Sequence, residues 1–364
     1  MDKTKHFISK LGEEKKDGSS ISLGVPYQNI PRLSISGHRS FSDGRARLIM
    51  ERVDMTGKTV ADLGCSVGTM SAEFGKKAAS VVGYDHDEIA IKVATSLYNS
   101  NVHFETSALT LEFLDAMPPV DVVVWTSQFM WMVKQHGFDY ALDFLWKLST
   151  KCKTLVFETA GKDDGSAPLD LFQEDVIELL IKNTIFQKVV DHGPWNDGWF
   201  PRNMFVCSEP MTAHDGEWSN VKLPSRRIVV KEFKKKQFSL ELREREARFL
   251  RTLNGDPHFP KFHGEDGDSL YMEYAGPRAA WLPEGDIKAI CLALHNRGIV
   301  HRDIRPENVL WNGNNVVLVD FSFATMGKEI TNYHYDLGGK YKCPYGFNDE
   351  YSLRKIQAEL IKGR

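Results

Sequence analysis

The chain has 364 residues, 42% of them hydrophobic, and a formal net charge of −3. That length predicts two domains, each with enough apolar residues for a core, and the near-neutral charge gives no electrostatic ground for a nucleic-acid or membrane partner. The five cysteines, Cys65, Cys152, Cys207, Cys291 and Cys343, are scattered without a CxxC pair, which argues against a zinc site or disulfide framework and for reduced thiols in a cytoplasmic protein.

No apolar run reaches the roughly 18 residues of a membrane span, so no transmembrane segment is expected. Met1 to Lys16 is charged and lacks the apolar core of a signal peptide. Residues 1–40 form a polar lead-in, irregular around Pro26, Pro31 and Gly37. A first domain is expected over 41–209. It opens with helical spacing from Phe41 to Val53 and a turn at Met55–Lys58. Thr59 to Leu63 is then a short apolar strand, followed by Gly64-Cys65-Ser66-Val67-Gly68 and a helix from Met70 to Lys77. Glycines there let backbone approach a ligand at the carboxyl end of a first strand. The next strand, Ser80 to Tyr84, ends in Asp85, at the distance where an acid meets ribose hydroxyls in nucleotide-binding sheets.

The β/α alternation continues with strands at Val102–Thr106, Asp121–Thr126 and Thr154–Phe157, and with helices over Tyr140–Leu148 and Asp170–Asn183. Two closing strands, Phe186–Val190 and Asn203–Cys207, predict an antiparallel hairpin at the end of a parallel sheet. His136, Glu158, Trp195, Trp199 and Arg202 are candidates for an acceptor pocket, and a guanidinium such as that of Arg202 suits a phosphate as well as a carboxylate.

A second domain is expected over 210–364, with Met211 to Ser225 as a polar junction and domain start. Ile228 to Phe233 is a strand carrying Lys231. The helix Phe238–Leu253 carries Glu246, with Glu244 the alternative partner for that lysine. Leu270 to Gly276 reads as a strand running into a hinge, where backbone groups of Glu273 to Ala275 would meet adenine, and Glu284–Arg297 is a helix. His301-Arg302-Asp303-Ile304-Arg305-Pro306-Glu307-Asn308 and the later Asp320-Phe321-Ser322 have the order and spacing of a phosphoryl-transfer loop. Asp303 would accept the proton of an attacking hydroxyl, and Asn308 and Asp320 would hold Mg²⁺ against ATP phosphates.

Two features depart from that pattern. No glycine-rich phosphate loop precedes Lys231, although the basic stretch Ser219–Arg227 could cover phosphates, and Ser322 stands where glycine is usual. The Lys/Arg-rich run from Lys222 to Arg251 is interleaved with Glu232, Glu241, Glu244 and Glu246, which favours a solvated helix face over a nucleic-acid patch. Only 44 residues follow Asp320. A lobe that small favours a small acceptor such as a sugar hydroxyl over a peptide.

Asp62-x-Gly64-x-x-x-Gly68 followed by Asp85 resembles motif I of the Rossmann-like S-adenosylmethionine (SAM) methyltransferases. The resemblance implies cofactor contacts from Asp62, Gly64, Cys65, Ser66, Gly68, Asp85, Ser107, Ala108 and Thr126. The second half resembles protein kinases, which implies Lys231, Glu246, Asp303 and Arg305 at the reaction centre. The combination is similar to the bifunctional methyltransferase/kinases that terminate polymannose O-antigen chains in lipopolysaccharide synthesis. Ser127-x-Phe129 with His136-Gly137, Pro201-Arg202-x-Met204, and Arg305-Pro306 in place of Lys-Pro carry that likeness. Met130-Trp131 replaces the paired histidines that family has after Ser-x-Phe. The resemblance implies an α/β methyltransferase domain followed by an α+β kinase-like domain, with SAM, ATP and Mg²⁺ as cofactors. The implied partner is a glycan or sugar acceptor, with peripheral membrane attachment through a glycan-synthesis protein as the alternative to a free cytoplasmic enzyme. A methyltransferase with a pseudokinase, and a protein- or RNA-modifying enzyme, are the competing readings.

Overall fold

The computed structural model describes residues 21–22, 25–37, 41–98, 100–160, 175–194, 202–211, 214–236, 238–327 and 337–362. The chain divides into two compact units, Met1–Pro210 and Met211–Arg364.

The first unit is built on a seven-stranded sheet: β1 (Thr59–Leu63), β2 (Ser80–Asp85), β3 (Val102–Thr106), β4 (Val120–Thr126), β5 (Cys152–Glu158), β6 (Phe186–Pro194) and β7 (Asn203–Pro210). Their spatial order is β3-β2-β1-β4-β5-β7-β6. The first five are parallel, and β7 runs antiparallel to both β5 and β6. The order reverses between β1 and β4, the switch point at which open α/β sheets bind ligands. Residues alternate between two buried faces. Leu63, Val123, Trp125 and Phe157 face one core, and Val60, Val122, Val124 and Val156 face the other. Burial on both sides is why these strands read as continuous apolar runs.

Helices α1 (Ser42–Arg52), α2 (Thr69–Phe74), α3 (Glu88–Leu97), α4 (Leu111–Ala116), α5 (Phe129–His136), α6 (Phe138–Ser149) and α7 (Val176–Asn183) cover the two faces. The sequence pattern missed α3, α4 and α5. Local chemistry accounts for the first two. The Asp87 carboxylate accepts from Ile89 N and Ala90 N to cap α3, and Thr110 Oγ1 accepts from Phe113 N to cap α4. The α5 helix is held by burial of Phe129, Met130, Met132 and Val133. The lead-in is tied to the sheet's helices: Thr69 N donates to Gln28 Oε1 at 3.0 Å, and Thr69 Oγ1 donates to Asn29 O. These bonds satisfy first-turn groups of α2 that would otherwise lack partners.

The second unit holds an antiparallel sheet of β8 (His214–Asp215), β9 (Ser219–Ser225), β10 (Ile228–Phe233), β11 (Phe262–Asp266) and β12 (Ser269–Glu273), ordered β8-β9-β10-β12-β11. Helix α8 (Ser239–Leu253) follows β10, and α9 (Glu284–Asn296) precedes the His301–Asn308 loop. Two short pairs bracket that loop: β13 (Ile299–Val300) with β16 (Thr325–Met326), and β14 (Val309–Trp311) with β15 (Val316–Leu318). Helix α10 (Asp349–Lys362) closes the unit. Residues 214–215 and 219–225, read from sequence as part of a polar junction, are strands. Most of the basic stretch Ser219–Arg227 is strand, with Lys222 paired to Glu232 at 2.6 Å. Among the described residues no helix is long and apolar enough to cross a membrane.

Candidate active sites

The first site lies at the carboxyl ends of β1 and β2. Gly64 and Gly68 have φ of +82° and +77°, and Ser66 shares the left-handed region at +51°. The glycines reach that region without the steric cost a side chain imposes. Gly64 N and Cys65 N both donate to Tyr84 O, at 2.8 and 3.0 Å, which folds the loop back over β2. Asp85 is buried and accepts from Ser66 N at 2.8 Å and Asp87 N at 3.0 Å. Ser107 N donates to Asp85 O at 2.8 Å, which brings Ser107 and Ala108 beside the same strand ends. Asp62 is buried and accepts from Ser71 Oγ at 2.6 Å. Burial pushes its carboxyl up to about 6, with the Ser71 bond opposing and the Asp85 charge adding. The Cys65 thiol is buried, and burial drives it well above the usual thiol range. A Cβ on Gly64 would stand 2.5 Å from Gln128 Nε2, so the Gln128 side chain roofs this loop.

A second buried cluster lies at the ends of β4 and β5, where Thr126 pairs with Glu158. Glu158 is 1% exposed. Its Oε1 accepts from Ser127 Oγ at 2.8 Å and faces Arg202 Nη1 at 3.4 Å, and its Oε2 is bonded by Arg45 Nη2 from α1. Two guanidiniums and a hydroxyl thus converge on one carboxylate. Of the expected acceptor residues, Glu158 and Arg202 come together here. His136 does not join them, because α5 carries it to its exposed C-terminal end, where it stacks on Tyr140 at 4.7 Å. Trp195 and Trp199 lie outside the described residues. Arg45 was missed from sequence; Ser127 was singled out only through the Ser127-x-Phe129 likeness.

In the second unit, Lys231 on β10 is bonded to Glu246 Oε2 at 2.6 Å, Asp320 Oδ1 at 2.8 Å and Ser322 Oγ at 2.9 Å. Glu246 is therefore the partner, and Glu244 faces solvent. Burial works against the Lys231 charge, but Asp320 and Glu246 override it and hold the ammonium above its usual range. Burial also works against the Asp320 charge, but the Lys231 charge together with the bonds from Lys231 and Ser322 draws it down to about 2. Asp320 has φ +67° and Arg302 +71°. Such backbone persists where its surroundings over-determine it, and it clusters at functional sites.

The catalytic-loop candidate is held from beneath. His301 N and Arg302 N donate to Asp349 at 2.9 and 3.4 Å, and His301 Nε2 lies 3.0 Å from Val319 O. Asp303 Oδ1 accepts from Arg305 Nη2 and Gly338 N, both at 2.7 Å, and from Arg305 Nε at 3.1 Å. Oδ2 has only a long 3.5 Å bond from Asn308 Nδ2, so it is the less engaged oxygen and the one better able to take a proton. Asn308 Nδ2 donates to Asp303 O at 2.9 Å, so its amide oxygen points the other way, and Val319 N donates to Asn308 O at 3.0 Å, next to Asp320. At the hinge, the amides of Glu273 and Tyr274 donate to Lys261 O and Arg227 O, at 2.8 and 3.1 Å. Where a glycine-rich loop would lie, β8 and β9 are joined by a tight turn closed by Gly216 N to Ser219 O at 2.9 Å.

These residues fit the groups the sequence implies. The left-handed loop under Gln128 is a cradle that a Cβ at Gly64 would fill, as close cofactor approach requires. Asn308 and Asp320 offer hard oxygen donors, the kind Mg²⁺ takes together with substrate phosphates.

Residues 277–339 match the phosphotransferase enzyme family, and residues 47–125 match the ribosomal protein L11 methyltransferase family. The Escherichia coli O-antigen chain terminator bifunctional methyltransferase/kinase WbdD is 24% identical over 195 residues, covering 48% of this chain and 27% of that protein. The chain thus matches about a quarter of that relative's length. A crystal structure of WbdD superposes with a TM-score of 0.46 at 21% identity, over 88% of this chain and 82% of that one. Magnesium protoporphyrin IX methyltransferase from Synechocystis, with bound SAM, superposes with a TM-score of 0.37 at 16% identity, over 47% of this chain and 80% of that one. The chain thus joins a unit similar to methyltransferases to a unit similar to phosphotransferases.

Proposed function

We propose that the chain phosphorylates a terminal sugar hydroxyl of a glycan with ATP and then methylates the new phosphate, or the sugar itself, with SAM. The observation that carries this reading is the geometry at Asp303. Oδ1 is fixed by Arg305 and Gly338 N, and Oδ2, held only by a long bond from Asn308 Nδ2, would accept the hydroxyl proton. Lys231, aligned by Glu246, would hold the ATP phosphates, and Asn308 and Asp320 would hold Mg²⁺ between them. Arg305 would add positive charge beside the transferring phosphoryl group, where a planar fork suits phosphate oxygens.

SAM bound over Gly64–Gly68, with Asp85 at its ribose, would supply the methyl group. A phosphate oxygen is already anionic near neutral pH, so methyl transfer to it needs alignment more than a general base. Arg45 and Arg202, beside Ser127 at the same strand ends, suit an anionic acceptor better than a neutral hydroxyl. The glycan as acceptor class rests on the motif resemblance and on the activity named for WbdD.

The test is a double-label assay with γ-labelled ATP and methyl-labelled SAM, offered mannose oligosaccharides, RNA and a generic protein. Both labels should enter the glycan, and methyl incorporation should require ATP. Sugar that is never phosphorylated, or methylation indifferent to ATP, overturns the reading. The tight Gly216–Ser219 turn favours a second reading, a methyltransferase with a nucleotide-binding pseudokinase. Phosphoryl transfer by the wild-type chain that is lost in Asp303→Ala removes it.

A further inference from the structure

Ser322 follows Asp320 by two positions and occupies the place where the sequence pattern calls for glycine. Its side chain is buried, its Oγ accepts from Lys231 Nζ at 2.9 Å, and it donates to Glu246 Oε2 at 2.6 Å. An ammonium has three N–H donors. Lys231 uses all three, on Glu246, Asp320 and Ser322. Asp320 cannot keep its bond to Lys231 and also turn fully to a metal. When it turns, one donor is released, and a phosphate oxygen can take its place.

We propose that Ser322 is a positioning residue for the nucleotide: it holds Lys231 and Glu246 together when Asp320 is drawn to the metal, so that the one released N–H of Lys231 is aimed at a phosphate oxygen. With glycine at this position Lys231 would keep Glu246 as its fixed partner, on a flexible four-carbon stem. The backbone that carries Ser322 is itself anchored. Phe321 is fully buried, with its ring 4.6 Å from His301, 5.8 Å from Phe259 and 6.4 Å from Phe249. Phe249 lies one turn beyond Glu246 on the same helix, on the same face. Phe321 and Ser322 thus grip α8 at an apolar point and a polar point, and both grips bear on the glutamate that aligns Lys231.

This proposal rests on the kinase reading above. The experiment measures equilibrium binding to the full-length chain of two probes, a Mg²⁺-loaded non-hydrolysable ATP analogue and adenosine, which lacks phosphates. Ser322→Ala and Ser322→Gly should weaken the nucleotide about tenfold, the effect of losing one buried hydrogen bond to a charged group, and leave adenosine unchanged. Ser322→Thr, which keeps the hydroxyl, should restore nucleotide binding. In a Lys231→Ala background Ser322→Ala should add nothing. Should Ser322→Ala fail to fold, Ser322→Cys, with a weak donor in place of the hydroxyl, takes its role. Equal loss for both probes, or unchanged nucleotide affinity, overturns the proposal. A wild-type chain that binds no nucleotide sinks the kinase reading itself, and this proposal with it.

Discussion

The two units assemble their candidate sites from different materials. In the first, the loop over β1 and β2 is made by backbone: left-handed residues at Gly64, Ser66 and Gly68, and amides donated to Tyr84 O and Asp85. In the second, charged side chains do the assembling: Lys231 with two carboxylates, and Arg305 forked onto Asp303. A backbone cradle suits a cofactor that must be approached closely and held along its length. A charge network suits phosphates and a metal, whose recognition is electrostatic. The difference also predicts how each site fails. Removing a charge should cost the second unit its reaction, and adding a Cβ should cost the first unit only fit.

The largest effect is expected at the charge network's base. Asp303→Asn keeps the shape and removes the proton acceptor, so phosphoryl transfer should fall by about 10²- to 10⁴-fold. Under the sequential reading, methyl incorporation into unphosphorylated glycan should fall with it, and a chemically phosphorylated glycan should restore it. Methylation that survives Asp303→Asn on unmodified glycan would separate the two activities.

The next test is in the first unit, whose Glu158 cluster is an exception to its backbone rule. Glu158→Gln leaves the Arg45 and Arg202 guanidiniums against a neutral amide in a buried place. Removing one side of a buried ion pair predicts a loss of about 3 kcal/mol, read from urea unfolding of the first unit. A loss well under 1 kcal/mol would mean that the arginines are balanced by other groups, and the cluster would then weigh no more than a surface pair.

What was legible in the sequence follows the same division. The Gly64–Gly68 loop, Asp85 and the His301–Asn308 loop announce themselves because each is a local run whose spacing has a local cause. Glu246 came out ahead of Glu244 because its place on α8 brings it to Lys231. The Arg45–Glu158 bond joins residues 113 apart in sequence, and nothing near Arg45 marks it. Gln128 could not be placed over Gly64 without knowing that β1 and β4 are neighbours. The β8–β9 hairpin was read as a junction because β9 is only half buried and its apolar alternation is limited to Val221 and Leu223. His136 was expected near the strand ends because α5, which moves it away, went unrecognised. Ser322 was noticed as a departure, but its bonds to Lys231 and Glu246 exist only once β10 and α8 are packed together.

A pH test sharpens the comparison from the side of Asp62, a buried acid of the first unit whose pKa is strongly raised. Asp62 is held up to about 6 in the folded chain, against 3.8 as its ordinary value. Between those values the folded state binds more protons than the unfolded state. Stability should therefore be highest below about pH 4 for this group and decline as pH rises through about 6, by roughly 3 kcal/mol in all. Asp62→Asn should remove that decline. The check is the difference in urea midpoint between wild type and variant from pH 4 to 7. Parallel curves would mean that Asp62 is ionised throughout.

The smallest effect should come from the backbone cradle itself. Gly64→Ala faces two separable costs. The φ of +82° disfavours any side chain, by about 1 kcal/mol. The new methyl also stands 2.5 Å from Gln128 Nε2, the end of a flexible side chain that can move aside. Gln128→Ala on its own should therefore change stability little, and in the Gly64→Ala background it should relieve the contact but not the backbone cost. The double variant should stay about 1 kcal/mol below Gln128→Ala in thermal or urea unfolding. SAM affinity should follow the contact more closely than stability does, because Gln128 pushed off the loop would stand where the cofactor must approach. If the double variant instead matches Gln128→Ala in stability, the glycine is there for room alone, and the left-handed backbone that sets this site apart from the kinase unit's charge network is not what the residue is needed for.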